Sequence, residues 1–395
     1  MRPEVAPCFA KPMRATFSDE VQHAVLSLPP VASISHGEPS GTISPNGRWL
    51  AYFDGWAENQ DKVVFYDLVK SRHWVMDAGR IAPDSYRSRV LSWRHDSRAC
   101  AVGAAGGWTV AWPATRRTRR ISRTAPGGES CAAWAPHSNR LAMFEGHLGN
   151  GLYRVWNGRR LTKGIEWRKA VNYPAGEERA WQCEWSPDER LILFRFYGHA
   201  ERSSDSSGHT VVVNPRTSRP RFNWGTEAGP ARWLDNSRLI FEGDDEGLGL
   251  NSGLIVAKPV VHQSNTWLKN AVAWTLSAQR NAIWALTTEG HLCRTPVQKR
   301  RWQIIRRKAV SSTALQFMSP SLLVSPRGDM AAFCHLYGGS NVSIISTSRK
   351  RPWTISWRAP VGKVKLLGWA SGKSLPLLEW EPNTETASVI IQLKK

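Results

Sequence analysis

The chain has 395 residues, 41% of them hydrophobic and 22% charged, a globular composition able to bury a full core. With 53 basic against 32 acidic side chains the formal net charge is +21, a field that favours acidic partners such as nucleic acid, an anionic membrane surface or acidic protein. Most of that charge is Arg, which a compositional bias alone also produces. No run approaches the roughly 18 apolar residues of a membrane span. The first thirty residues lack an apolar core of signal-peptide length and are interrupted by Glu4, Asp19 and Glu20; the expected location is cytoplasmic.

In chain order, residues 1–20 read as an N-terminal tail and 21–30 as a short strand, with His23–Leu28 alternating. From residue 40 onward one unit recurs. An aromatic or apolar residue ends a strand, a Ser-Pro-Asp-type turn follows, and an alternating apolar strand begins; Pro fixes φ at the second turn position and Asp, Asn or Gly tolerates the tight backbone after it. The clearest copy is Trp185 followed by Ser186-Pro187-Asp188-Glu189-Arg190 and Leu191–Phe194. Ile43 precedes Ser44-Pro45-Asn46-Gly47, and Val324 precedes Ser325-Pro326-Arg327-Gly328. Trp93, Trp134 and Trp233 precede related turns, and Trp274 and Trp369 precede degenerate ones. These eight anchors stand 41 to 51 residues apart, about the length of one four-stranded propeller blade. Six of them are Trp, which accounts for part of the unusual total of 21; a large ring at one fixed place in each repeat packs neighbouring units together.

The Trp-Ser-Pro-Asp turn with its following apolar strand resembles the TolB-like (WD40-like, PD40-type) β-propeller repeat. The resemblance covers roughly residues 40–395. It implies an all-β fold, a single β-propeller of about eight four-stranded blades over 21–395, with seven as the alternative if a degenerate copy is no blade. Third strands are expected at Val63–Asp67, Thr210–Asn214 and Val342–Ser346. After Trp369 only 26 residues remain, enough for a second strand (Leu375–Trp380) and a third (Ser388–Leu393). The N-terminal strand is therefore expected to supply the fourth, closing the ring and covering an edge that would otherwise template aggregation.

Basic clusters follow each anchor by about 25 to 35 residues: Arg116, Arg117, Arg119, Arg120 and Arg123; Arg159, Arg160 and Lys163; Arg216, Arg219 and Arg221; Lys299, Arg300, Arg301, Arg306, Arg307 and Lys308; and Arg349, Lys350 and Arg351. All are expected on the turn between third and fourth strands or on the outer strand, as a basic rim around one face, with Trp302 and Trp353 among them as candidate base-stacking rings. Charged outer strands also simply protect sheet edges. The loops between second and third strands carry the opposite sign: Asp54, Glu58 and Asp61; Glu145; Glu201 and Asp205; Glu242, Asp244, Asp245 and Glu246; and Glu289.

Glu145-Gly146-His147, Glu289-Gly290-His291, His199 and His209 could bring carboxylate and imidazole together on converging loops, but their spacing matches no metal or catalytic motif. Asp244-Asp245-Glu246-Gly247 lacks the alternating ligands of a calcium loop. Cys8, Cys100, Cys131, Cys183, Cys293 and Cys334 are scattered with no paired metal-binding spacing. There is no Gly-x-Ser-x-Gly elbow and no nucleotide-binding glycine loop. The reading is a non-enzymatic, monomeric interaction module without a cofactor, binding a protein or peptide on one face. The alternatives are a nucleic-acid or polyanion binder using the rim, and an enzyme with a site at the mouth of a central channel.

Overall fold

A computed structural model describes residues 22–25, 41–54, 60–80, 89–123, 130–145, 152–166, 177–199, 206–217, 220–226, 231–243, 253–261, 263–310, 321–335, 341–348, 354–358, 363–370, 376–381 and 389–394. The N-terminal strand is β1 (Gln22–Val25). Behind it the chain forms consecutive antiparallel sheets of four strands. The first holds β2 (Gly41–Ile43), β3 (Trp49–Asp54), β4 (Gln60–Asp67) and β5 (Arg72–Arg80). The second holds β6 (Val90–Trp93), β7 (Cys100–Ala104), β8 (Gly107–Trp112) and β9 (Arg117–Ser122). The third holds β10 (Cys131–Trp134), β11 (Leu141–Glu145), β12 (Leu152–Trp156) and β13 (Ile165–Glu166). The fourth holds β14 (Glu177–Trp185), β15 (Ile192–His199), β16 (Ser206–Val213) and β17 (Pro220–Thr226). The fifth holds β18 (Ala231–Trp233), β19 (Leu239–Gly243), β20 (Gly253–Lys258) and β21 (Gln263–Leu268). The sixth holds β22 (Ala271–Leu276), β23 (Ala282–Thr287), β24 (Leu292–Pro296) and β25 (Gln303–Arg306). The seventh holds β26 (Ser321–Val324), β27 (Met330–His335), β28 (Asn341–Ser346) and β29 (Thr354–Arg358). The eighth holds β30 (Lys363–Trp369), β31 (Pro376–Glu381) and β32 (Val389–Lys394), and its outer strand is β1, paired antiparallel from Gln22 opposite Lys394 to Val25 opposite Ile391.

Within each sheet the two middle strands are the most apolar: every residue of β7 (Cys100–Ala104) and of β11 (Leu141–Glu145) is buried. Such strands are covered on both faces, and what covers them is the next sheet. Phe144 and Tyr153 of the third sheet pack with Trp185, Phe194 and Val211 of the fourth. Trp284 and Leu286 of the sixth pack with Val324 and Phe333 of the seventh. The first strands of most adjacent sheets touch one another, so the sheets radiate from a common axis. β30 of the eighth sheet meets β2 of the first: Leu367 packs against Leu50, Tyr52 and Val64, and a Cβ on Gly368 would stand 3.3 Å from Ile43.

Among the described residues no helix is long and apolar enough to cross a membrane, and no group of three His, Cys, Asp or Glu side chains could hold a metal ion. Cys100, Cys131, Cys293 and Cys334 are buried and free, and Cys183 is half-buried and free.

Candidate interaction face

In the first, fourth and seventh sheets the turn between first and second strands shares one construction. The Ser186 hydroxyl donates to Asp188 Oδ1 (2.7 Å) and accepts from the Leu191 N–H (3.0 Å). Ser44 does the same with Asn46 and the Trp49 N–H, and Ser325 with Asp329 and the Met330 N–H. In five copies a residue near the turn's end has left-handed backbone: Gly47 and Gly328, but also Ser97, Glu189 and Arg280. A side chain there is strained, which is why Gly is the usual occupant. Each of the three exceptions reaches to the preceding sheet. The Ser97 hydroxyl accepts from the Asn46 N–H (2.9 Å). The Glu189 carboxylate accepts from the His137 N–H and from Arg140 Nη2 (2.7 Å). Arg280 donates to the Trp233 carbonyl (3.3 Å) and to the Glu184 carboxylate, so one guanidinium ties the sixth sheet to the fifth and the fourth. Burial alone would raise the Glu189 carboxyl, but hydrogen bonds from Arg140, Ser138 and the His137 N–H outweigh it and hold the group down at about 2.

The anchors perform a second stitch. Trp93 Nε1 donates to the Thr42 carbonyl (3.2 Å), Trp134 Nε1 to Ser92 (2.9 Å), Trp185 Nε1 to Ala133 (2.9 Å) and Trp233 Nε1 to Glu184 (3.2 Å). Each acceptor is the residue just before the anchor of the preceding sheet. Arginines close the seam from above: Arg94 lies over the Trp134 ring at 5.8 Å and Arg140 over Trp185 at 4.6 Å. Trp274 does not join this series. In the sixth sheet the Ser277 N–H bonds the Ala282 carbonyl (2.9 Å), as the Ser186 N–H bonds Leu191. The anchor position there is accordingly Leu276, two residues beyond the expected Trp274. Two residues preserve the face of a strand, so Trp274 is still buried, but its indole stands beside Glu242 instead. Trp369 holds the anchor position in the eighth sheet, but among the described residues its indole N–H meets no acceptor.

The turns between third and fourth strands open at the same end. The Leu68 N–H bonds the Arg48 carbonyl (2.8 Å), and Arg48 itself pairs with the buried Asp67 (2.8 Å). The basic rim lies here in part. Arg116, Arg117, Arg119, Arg120, Arg159, Arg160, Lys163, Arg216, Lys299, Arg300 and Arg301 are all exposed, on these turns or the adjoining outer strand. Arg123, Arg306, Arg307 and Lys308 are not at that end. Arg306 is paired opposite Leu292, the Lys308 N–H bonds His291 Nδ1 (3.1 Å), and Arg123 follows Ser122, which pairs with Trp108. An outer strand runs the full height of its sheet, so its last residues emerge at the opposite end. Arg349, Lys350, Arg351, Arg219 and Trp353 lie outside the described residues, and of Arg221 only the strand position is described. Trp302 is half-buried; its Nε1 donates to the Trp267 carbonyl (2.7 Å) and its ring packs between the fifth and sixth sheets, which leaves little face for a base.

At the opposite end two of the expected loop acids sit elsewhere. Glu145 and Glu242 are strand residues, the first buried and the second half-buried. Glu145, with its side chain 3% exposed, faces Arg154 at 3.5 Å, and burial raises its carboxyl. Burial pushes the Glu242 carboxyl up to about 7, against the pull of Arg195. Arg195, fully buried beside Thr210, is pushed down to about 10 by burial, opposed by Glu242. His199 and His209 are strand residues of β15 and β16, not loop residues. Glu289 is exposed and pairs with His291 at 3.2 Å. Asp54 ends β3 and Asp61 is the second residue of β4, and Glu58, His147, Glu201, Asp205 and Asp244–Glu246 lie outside the described residues.

No protein-family model matches the sequence, and no curated protein matches it. Solved structures do. One of Sqt1 from Chaetomium thermophilum superposes with a TM-score of 0.55 at 11% identity, covering 92% of this chain and 97% of that one. A second Sqt1 structure gives 0.54 at 12% identity, covering 95% and 99%. The β-propeller domain of Myceliophteria thermophila Cps50 (Swd1) gives 0.47 at 11% identity, covering 94% and 99%. The fold is a β-propeller. The stitched turns with their exposed cations lie at one end of its sheets.

Proposed function

We propose that this propeller is a non-enzymatic interaction module whose turn-bearing face binds a protein or peptide. The observation that carries the reading is the contrast between the two ends. On the turn face, cross-blade bonds from Ser97, Glu189, Arg280 and the anchor indoles fix the backbone while many arginines stay exposed. A rigid surface loses little entropy on binding, so its contacts convert more fully into affinity. At the other end the buried Glu145 faces Arg154, and the buried Arg195 faces the half-buried Glu242 of the next blade. The Glu184 carboxylate is shared by Arg232 and Arg280, an arrangement that braces blades four, five and six.

Within the same reading the repeat is of the TolB-like kind, and eight blades close into a ring through β1. Affinity purification from the native host at near-physiological salt, with nuclease-treated and untreated halves, tests the function. A protein recovered equally in both halves supports it. Recovery only of nucleic acid, or only of proteins lost after nuclease, contradicts it.

A further inference from the structure

The turn faces of the second and third blades share an arc of exposed arginines: Arg116, Arg117, Arg119 and Arg120 from one, Arg159 and Arg160 from the other. Among the described residues no carboxylate lies within ion-pair distance of any of the six, whereas Arg48, Arg94, Arg140 and Arg238 on other turns each have one. Charges of one sign on neighbouring turns repel one another.

The arc is nonetheless held together. The Arg119 guanidinium lies over the Trp156 ring at 5.8 Å and donates to the Gly158 and Arg159 carbonyls (3.2 and 3.1 Å). It thereby pulls the outer strand of blade two onto the turn of blade three. That turn is locked by Asn157 Oδ1, which accepts from the Arg159 and Arg160 N–H groups (3.0 and 2.8 Å). Arg116 sits in left-handed backbone at φ 56°, a conformation that strains a non-glycine residue. Uncompensated cations on braced, partly strained backbone form a surface organised in advance for an anion.

The chemistry narrows the partner. All six cations are Arg, whose planar fork takes carboxylate or phosphate bidentately. Single-stranded nucleic acid also asks for exposed aromatic faces on which bases stack. The indoles of the arc do not supply them: Trp156 is 4% exposed beneath Arg119, and Trp112 is half-buried.

We infer that the arc docks an acidic, extended polypeptide segment, its carboxylates held by Arg116, Arg117 and Arg160 while Arg119 keeps the two turns in register. This rests on the interaction reading above and names the partner's chemistry.

The experiment is fluorescence anisotropy on the full chain with a labelled peptide alternating Glu and Ser, beside single-stranded and duplex DNA of equal charge. Three proteins are compared: wild type, Arg117→Ser with Arg160→Ser, and Arg307→Ser with Lys308→Ser at the opposite end, which removes the same charge. The expected result is peptide binding weakened at least fivefold by the first pair and unchanged by the second. Should the serine pair lower the melting temperature, Arg117→Gln with Arg160→Gln takes its place. Absence of peptide binding, equal loss in both variants, or DNA bound at least tenfold more tightly through the arc would each overturn the assignment. A native partner retained undiminished by the arc variant would overturn the arc while leaving the interaction module standing. Failure of the wild type to retain any protein would count against the module itself.

Discussion

At the scale of single residues, the left-handed turn position separates what a repeat demands from what this chain adds. Glycine at Gly47 and Gly328 satisfies the turn and nothing more. Glu189 carries the strain and offsets it with bonds to Arg140 and His137 on the preceding blade. Truncating one partner of a partly buried, hydrogen-bonded charge pair costs about 1–3 kcal/mol, so Glu189→Ala should lower the denaturant midpoint by that order. The same carboxyl sets a pH dependence. Its folded value, about 2, lies below the unfolded value of about 4.3, so its contribution is complete above about pH 4.3 and is lost as pH falls toward 2. Glu189→Gln should flatten that acid limb in urea titrations. Glu242 has the opposite sign. Folding raises its carboxyl to about 7, so the stability it supports is present below about pH 4.3 and is lost as pH rises through 7. Denaturant midpoints between pH 5 and pH 8 should fall for the wild type and fall less for Glu242→Gln. None of this was legible beforehand. A charged residue at a turn looks solvated in sequence, and Glu145 and Glu242 looked like loop residues because nothing local shows that β11 and β19 extend far enough to include them.

At the scale of the element, the anchors were legible and their purpose only partly so. Alternation after a Ser-Pro turn located the first and second strands, and β4, β16 and β28 fall on the expected third strands. Trp274 misled because a conspicuous indole outweighed the Ser277 turn, which fixes Leu276 as the anchor. The indole N–H is what distinguishes Trp from another large ring. Trp185→Phe keeps most of the apolar burial but loses the bond to Ala133, worth about 1 kcal/mol net. Trp369→Phe loses no comparable bond among the described residues and should cost measurably less in paired chemical denaturations. The basic clusters were harder to place. Distance from an anchor identifies an outer strand but not which end of it a residue occupies, which is why Arg306, Arg307 and Lys308 were expected on the wrong face.

At the scale of the whole molecule, the eighth blade depends on the other end of the chain. β1 covers β32 with four paired residues, and its removal leaves the β32 edge bare, a template for edge-to-edge association. Deletion of residues 1–25 should lower the melting temperature and produce concentration-dependent light scattering, while Arg307→Ser with Lys308→Ser should do neither. The charge distribution is the other molecular property. Exposed cations crowd the turn face, and such a field steers an acidic partner approaching in solution toward the turns. The most direct measurement is cross-linking mass spectrometry of the propeller with the protein it retains from its native host. The account predicts cross-links from Lys163 and Lys299 on the turn face, and their loss with Arg117→Ser and Arg160→Ser. Cross-links confined to Lys308 and its surroundings at the opposite end would contradict it.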